Sequence, residues 1–201
     1  MLDRYASALI KPAVSRLARV LARSGLGANQ ITLAGFAVGV VAFILIANNL
    51  YWTGIAAIFL SRILDALDGA VARLSQPTDR GAFLDIALDF LFYASMPLAF
   101  ALAEPARNAL AAATLLAAFI GTGSSFLAFA VLAAKRGLHS AEYPDKSFYF
   151  LGGLTEATET LACFAAMCVW PQHFAVLAYV FAALCAATIG TRIWWGWRMF
   201  A

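Results

Sequence analysis

The sequence predicts an all-α, polytopic membrane bundle of six transmembrane helices with an N-terminal amphipathic interfacial helix. Three observations carry this expectation. The 201-residue chain is 63% hydrophobic and 12% charged, where a soluble domain has about 45–50% and about 25%. Its mean hydropathy is +0.82. Several apolar runs reach the roughly 20 residues that cross a bilayer as a helix. No linker, low-complexity tract or evident repeat divides the chain, so a single domain over 1–201 is expected, with the interfacial helix at 1–25 and the six-helix bundle at 30–196.

The first stretch, "MLDRYASALIKPAVSRLARVLARSGLGANQ", lacks the short apolar core of a cleavable signal peptide, and none is expected. Arg4, Lys11, Arg16, Arg19 and Arg23 interleave with Leu9, Ile10, Val14, Leu17, Val20 and Leu21. That spacing predicts a helix with one basic and one apolar face, lying on an anionic membrane surface. Pro12 predicts a kink in it.

Apolar runs between breakers place the spans at about 30–48, 51–75, 80–103, 107–134, 148–169 and 174–196. "ANNLYW" separates the first pair, "SQPTDR" the second and third, and "AEPARN" the third and fourth. "KRGLHSAEYPDKS" is the longest connection, and "WPQH" makes the last turn. Six spans put both termini on one side. Arg4, Lys11, Arg16, Arg19, Arg23, Arg73, Arg80, Lys135, Arg136, Lys146, Arg192 and Arg198 then share that side, against Arg107 alone on the other. The excess makes it cytoplasmic, in an inner or plasma membrane. Trp52, Trp170, Trp194, Trp195 and Trp197 fall near span ends, as interfacial anchors do. Cys163, Cys168 and Cys185 lie in apolar runs without metal-ligand spacing, and read as packing residues. His139 and His173 read as solvated loop residues.

Between Leu64 and Asp89 stand five of the seven aspartates. Asp65 and Asp68 are three apart and Asp85 and Asp89 four apart, so on helices each pair shares a face. The intervening turn is short, which predicts antiparallel neighbouring helices. All four carboxylates then lie roughly 6–15 Å below the cytoplasmic helix ends. Four such groups cannot all stay ionised in a low dielectric without protons or cations. Pairing with Arg62 and Arg73 accounts for two acids at most. Oxygen ligands with no cysteine or histidine nearby suit Mg²⁺ or Mn²⁺, and carboxylates shared between two ions serve phosphoryl displacement. Gly69, Ala72 and Gly81 leave a bare strip beside the acids for a phosphate-bearing ligand, and Arg73 puts a cation near its rim.

The set Asp65, Asp68, Gly69, Ala72, Arg73, Gly81, Asp85, Asp89 resembles the signature of the CDP-alcohol phosphotransferases, D-x-x-D-G-x-x-A-R followed by G-x-x-x-D-x-x-x-D. All eight fixed positions are present. The gap between the halves, Leu74 to Arg80, is seven residues, one shorter than the usual pattern. The six-span plan with a leading amphipathic helix is similar as well. The resemblance implies metal-dependent transfer of the phosphoalcohol part of a CDP-alcohol, such as CDP-diacylglycerol, to an acceptor hydroxyl with release of CMP. It implies Asp65, Asp68, Asp85 and Asp89 as ligands of two divalent ions, and Asp89 as general base. Asn29, Thr32, Asp65, Gly69, Ala72, Arg73, Thr78 and Gly81 would serve the nucleotide and its diphosphate. A homodimer is implied too, and no nucleic-acid partner is expected.

For the acceptor, the residues offer Glu156 and Glu159, read as lying about ten residues into the fifth span, and the cations Lys135, Arg136 and Lys146. Convergence of three of the cytoplasmic cations would favour a phosphorylated acceptor. Arg62 either neutralises the acids or touches the acceptor. The alternative function is a divalent-cation or proton-coupled transporter, since membrane carboxylates also mark ion pathways. Small residues and an arginine set around acids on one face favour the enzyme. Gly35 and Gly39, and the "GTGSS" from Gly121, mark close helix packing.

Overall fold

The computed structural model describes residues 3–137 and 153–201, and these are helical with no strand among them. The helices are α1 (Asp3–Arg23), α2 (Ala28–Ala47), α3 (Tyr51–Leu74), α4 (Asp79–Ala103), α5 (Pro105–Lys135), α6 (Ala157–Val169) and α7 (Phe174–Met199), with a 3₁₀ turn at Pro171–His173 before α7. α1 runs unbroken through Pro12.

Local chemistry sets the boundaries. Asn49 ends the first span by taking φ +64, a conformation asparagine tolerates better than most residues. Asn48 Nδ2 meanwhile donates to the Ile44 carbonyl at 2.8 Å. Thr78 caps α4, its hydroxyl accepting from the Gly81 amide at 3.1 Å. Pro105 opens α5, where its missing N–H costs nothing.

Four segments are long and apolar enough to cross a membrane: α2, α4, α5 and Pro171–Met199. α3 has the length, 24 residues, or roughly 36 Å, but carries Arg62, Asp65, Asp68 and Arg73. The described part of the expected fifth span, α6, has only 13 residues. Residues 153–156 are not helical, so this helix begins later than the apolar run suggested; 148–152, His139 and Lys146 lie outside the described residues.

Small residues decide how the helices meet. A Cβ on Gly35 would stand 3.2 Å from Leu64 Cβ, and one on Gly39 2.8 Å from the Phe92 ring. These glycines let α2 press against α3 and α4 together. A Cβ on Gly121 would meet Ile189 at 2.5 Å, which joins α5 to α7. The expected close packing at both motifs is therefore made within one chain. A core of Phe92, Met96, Phe100, Phe164, Phe174 and Phe181 fills the bundle, with Phe100 and Phe174 stacked at 4.6 Å. The three cysteines are free and lie in or beside it. α1 packs Val14, Ala18, Leu21 and Ala22 beside Leu67 and Val71 of α3. Leu9, Ile10, Leu17 and Val20 stay exposed. Outward faces of α2, α4, α5 and α7 are apolar (Val41, Leu91, Ile120 and Val180 are all exposed), as a lipid-facing surface requires.

The two ends of the bundle differ. Arg107 bonds Glu104 at 2.8 Å and the Gln172 carbonyl at 2.7 Å. At the opposite end Arg136 donates to the carbonyls of Met199 and Phe200 at 3.1 and 2.7 Å, closing α5 onto the end of α7.

Gly39→Val should lower the thermal unfolding midpoint in detergent, because the new side chain overlaps the Phe92 ring. Overpacking of this kind costs about 1–3 kcal/mol. An unchanged midpoint would mean that α2 has slack against α4.

Candidate active site

The turn between α3 and α4 predicts that the two helices pack directly. They do not. Both lean on α2, their backbones scarcely approach each other, and side chains such as Arg62 reach across. Carboxylates facing one another need room, and the glycines of α2 allow the two helices to be held by a third. The resulting gap is where the acids stand.

Within it, Asp65, Asp68 and Asp85 bring one oxygen each to within 4.8 Å of one another. Unit charges at that distance repel by about 3 kcal/mol per pair at an effective dielectric near ~20. Three pairs reach the scale of a whole domain's stability, about 5–15 kcal/mol. Asp68 sharpens the point. It is 4% exposed, Thr32 lies beside it, and its Oδ2 is buried with no hydrogen-bond partner. A buried acceptor left bare costs about 1–3 kcal/mol, more when charged. An oxygen-only trio with one orphaned buried oxygen fits a hard divalent cation such as Mg²⁺ or Mn²⁺.

Asp89 is not part of this trio. Its Oδ1 lies 2.5 Å from Nη1 of Arg62, and the same nitrogen is 3.5 Å from Asp65 Oδ1. Of the two roles left open for Arg62, the structure places it at the acids. Nη2 donates to Ser61 Oγ at 3.2 Å, and the guanidinium lies 3.8 Å from the centre of the Phe92 ring. Nothing in the sequence pattern announced Ser61 and Phe92 as its supports.

At the end of the cleft nearest the starts of α2 and α4, several expected nucleotide residues are brought together. A Cβ on Gly81 would come within 2.9 Å of Asn29 Oδ1 and 3.2 Å of Thr78 Oγ1, so the starts of α2 and α4 meet there. Thr32 follows one turn into α2. A Cβ on Gly69 would meet only Arg73 Nη1, at 3.4 Å, which leaves an open strip under an exposed arginine. Ala72 is half-buried on the same helix.

The acceptor candidates separate. Glu156 is not deep in a span: it is the N-cap of α6, its Oε1 accepting from the Gly153 amide at 3.1 Å. Glu159 stands in the first turn. The chain turns here because Gly153 lies against α7, where a Cβ would meet Thr188 at 2.4 Å. Arg192, read from sequence as a cytoplasmic cation that could bind a phosphorylated acceptor or lipid headgroups, is 8% exposed and donates to the Thr122 carbonyl at 3.0 Å. Its signal was its place four residues after Thr188, on one polar stripe of α7. Lys135 is exposed at the end of α5, and Arg136 closes the bundle as described. Thr122 and Arg136 lie roughly 20 Å apart along α5. Arg192 thus stands apart from Lys135 and Arg136.

A family model described as CDP-alcohol phosphatidyltransferase matches residues 26–194. Inner membrane protein YnjF of Escherichia coli K12 is 52% identical over 197 residues, covering 98% of this chain and 96% of that protein. An archaetidylinositol phosphate synthase of Methanothermobacter thermautotrophicus is 42% identical over 83 residues, 40% of this chain and 43% of that one. The crystal structure of Mycobacterium tuberculosis phosphatidylinositol phosphate synthase with CDP-DAG bound superposes with a TM-score of 0.73. It is 22% identical and covers 92% of this chain and 93% of that chain. A second structure of that synthase, with manganese and citrate, has a TM-score of 0.71. At such identity the likeness is one of fold.

Asp68→Ala should weaken Mn²⁺ binding by at least about tenfold, the smaller effect usual for losing even an outer-shell partner. A Mn²⁺ titration followed by electron paramagnetic resonance reads this directly. Unchanged affinity would take Asp68 out of the ligand set.

Proposed function

This chain belongs to the CDP-alcohol phosphatidyltransferase family, and we propose on that footing that it moves the phosphatidyl group of CDP-diacylglycerol to an acceptor hydroxyl and releases CMP. The family is one of transferases, so the transporter alternative is set aside. The observation that carries the proposal is the oxygen trio of Asp65, Asp68 and Asp85 within 4.8 Å, beneath a mouth formed by Asn29, Thr78 and Gly81.

Asp65, Asp68 and Asp85 would hold Mg²⁺ or Mn²⁺, which when bound neutralises diphosphate charge and stabilises the leaving group. Gly69 and Gly81 let the nucleotide approach the backbone. Ala72 keeps that strip low, Arg73 supplies a cation at its rim, and Asn29, Thr32 and Thr78 offer polar contacts to the phosphates. The acceptor oxygen attacks the β-phosphorus as the bond to CMP breaks. Asp89 takes the hydroxyl proton, and Arg62 orients its carboxylate through the ion pair at Oδ1. No covalent enzyme intermediate is needed. Glu156 and Glu159, beside α7, are the acceptor-side candidates, and hydroxyl recognition suits them.

The setting follows from the same reading. The protein lies in an inner membrane, with α3 and the chain through α6 completing six spans and α1 resting on the cytoplasmic surface. Its exposed Ile10, Leu17 and Val20 would enter the interface, and Lys11, Arg16 and Arg19 would meet anionic headgroups. Both termini and the acidic cleft face the cytoplasm, and the chain acts as a homodimer.

Purified protein in detergent with CDP-diacylglycerol, Mn²⁺ or Mg²⁺ and a panel of alcohols should release CMP with one class of acceptor. Asp89→Asn should lower that turnover by about 10²–10⁴-fold while CDP-lipid still binds. Full turnover by this variant would remove Asp89 as the base.

A further inference from the structure

We infer that the acceptor alcohol carries no phosphate group, because the buried arginine on the acceptor side, Arg192, already has a counter-ion in Glu156. This rests on the transfer reading above and names the class of acceptor within it.

The polar groups of α5, α6 and α7 lie at the depth of Asp89. The ring of Tyr93 on α4 stands 6.3 Å from that of Phe164 on α6. Further along, Phe100 of α4 stacks on Phe174, which follows α6, so the two helices run in the same direction. One turn back from Tyr93 is Asp89, and one turn back from Phe164 is Thr160, with Glu156 a turn above it. On the other side, Gly123 of α5 receives the ring of Phe90, the neighbour of Asp89, and a Cβ there would overlap it. The residue before Gly123 is Thr122, whose carbonyl takes Arg192.

Arg192 and Glu156 are both buried, and they meet across Gly153. The Gly153 amide donates to Glu156 Oε1 at 3.1 Å, and a Cβ on Gly153 would stand 3.4 Å from Arg192 Nη2. The negative charge of Glu156 acts on the guanidinium, which also lies 5.4 Å from the centre of the Phe126 ring. Hydroxyls surround the pair. Thr188, one turn before Arg192, bonds the hydroxyl of Thr155 at 3.1 Å, and Thr160 donates to the Glu156 carbonyl at 2.7 Å.

A phosphate monoester carries about −1.5 to −2 charges at neutral pH, and holding one takes surplus positive charge. This cluster has no surplus. Glu156 offsets Arg192, and Glu159 in the next turn adds no positive charge in either protonation state. α6 carries neither lysine nor arginine. Lys135 lies more than three turns further along α5 than Thr122, and Arg62 is committed to Asp89 and Asp65. Carboxylates and threonine hydroxyls are groups that accept hydrogen bonds from alcohols, so the cluster suits hydroxyls and repels a second anion.

The test uses matched acceptor pairs. Full-length protein in detergent is given CDP-diacylglycerol, Mn²⁺ and either member of each pair: glycerol and glycerol 3-phosphate, myo-inositol and inositol 1-phosphate, serine and phosphoserine. CMP release above the acceptor-free rate is measured. In the pair that supports turnover, the free alcohol should have a kcat/KM at least about tenfold above its phosphorylated partner, since like charges brought together discriminate strongly. Equal or better use of the phosphorylated member would overturn the inference and leave the transfer reading intact. No CMP above background with any of the six would overturn both. Glu156→Gln keeps the side-chain oxygen that accepts from Gly153 and removes the charge that offsets Arg192. It should move the ratio at least about tenfold toward the phosphorylated member, with the KM for CDP-diacylglycerol unchanged. An unmoved ratio would show that this pair does not set acceptor charge, and would overturn the inference. Should Glu156→Gln fail to fold, the wild-type ratio decides alone.

Discussion

Mutual repulsion among three clustered carboxylates, one of them buried and two half-buried, is the constraint around which this bundle is arranged. Helices that carry acids on facing sides cannot close on each other, and α3 and α4 do not. α2 supplies the missing contact. Its glycines bring its backbone against Leu64 on one side and Phe92 on the other, so the two acidic helices are held at a fixed spacing by a third. The cleft is thus a product of packing as much as of charge. The aromatic core of the bundle continues along α4 beyond it, from Phe92 to Phe100.

Such a site stores a need for positive charge, and the chain answers it in two ways. Arg62 is the internal answer, fixed under Phe92 and Ser61 and joined to Asp89. The trio with its orphaned Asp68 oxygen is left for an external cation. The mouth of the cleft stays low in side-chain bulk, with glycine at 69 and 81.

Much of this was legible in the sequence, for physical reasons. Spacings of three and four between aspartates fix a shared helix face wherever a helix forms. Asn48–Asn49 and Thr78 mark helix ends through local hydrogen bonds that need no knowledge of the rest of the chain. What the sequence withheld is long-range. The short turn after Ser75 suggested direct packing of α3 on α4, and only the reach of α2 shows why they stand apart. Asp89 looked equivalent to the other three acids, because its pairing depends on Arg62, which lies 27 positions earlier. Glu156 looked set deep within a helical span because the run before it is apolar. In fact the approach of Gly153 to Thr188 turns the chain and makes Glu156 a cap. The burial of Arg192 was hidden likewise, since positive residues near span ends usually report orientation alone.

The central claim, that the acids of α3 and α4 form a cation site in the gap supported by α2, is tested most directly by anomalous diffraction at the manganese edge from crystals grown with MnCl₂. The account predicts an anomalous peak bounded by Asp65, Asp68 and Asp85. Density for manganese elsewhere in the molecule, or none in the cleft with Asp68 turned onto a protein partner, would contradict it.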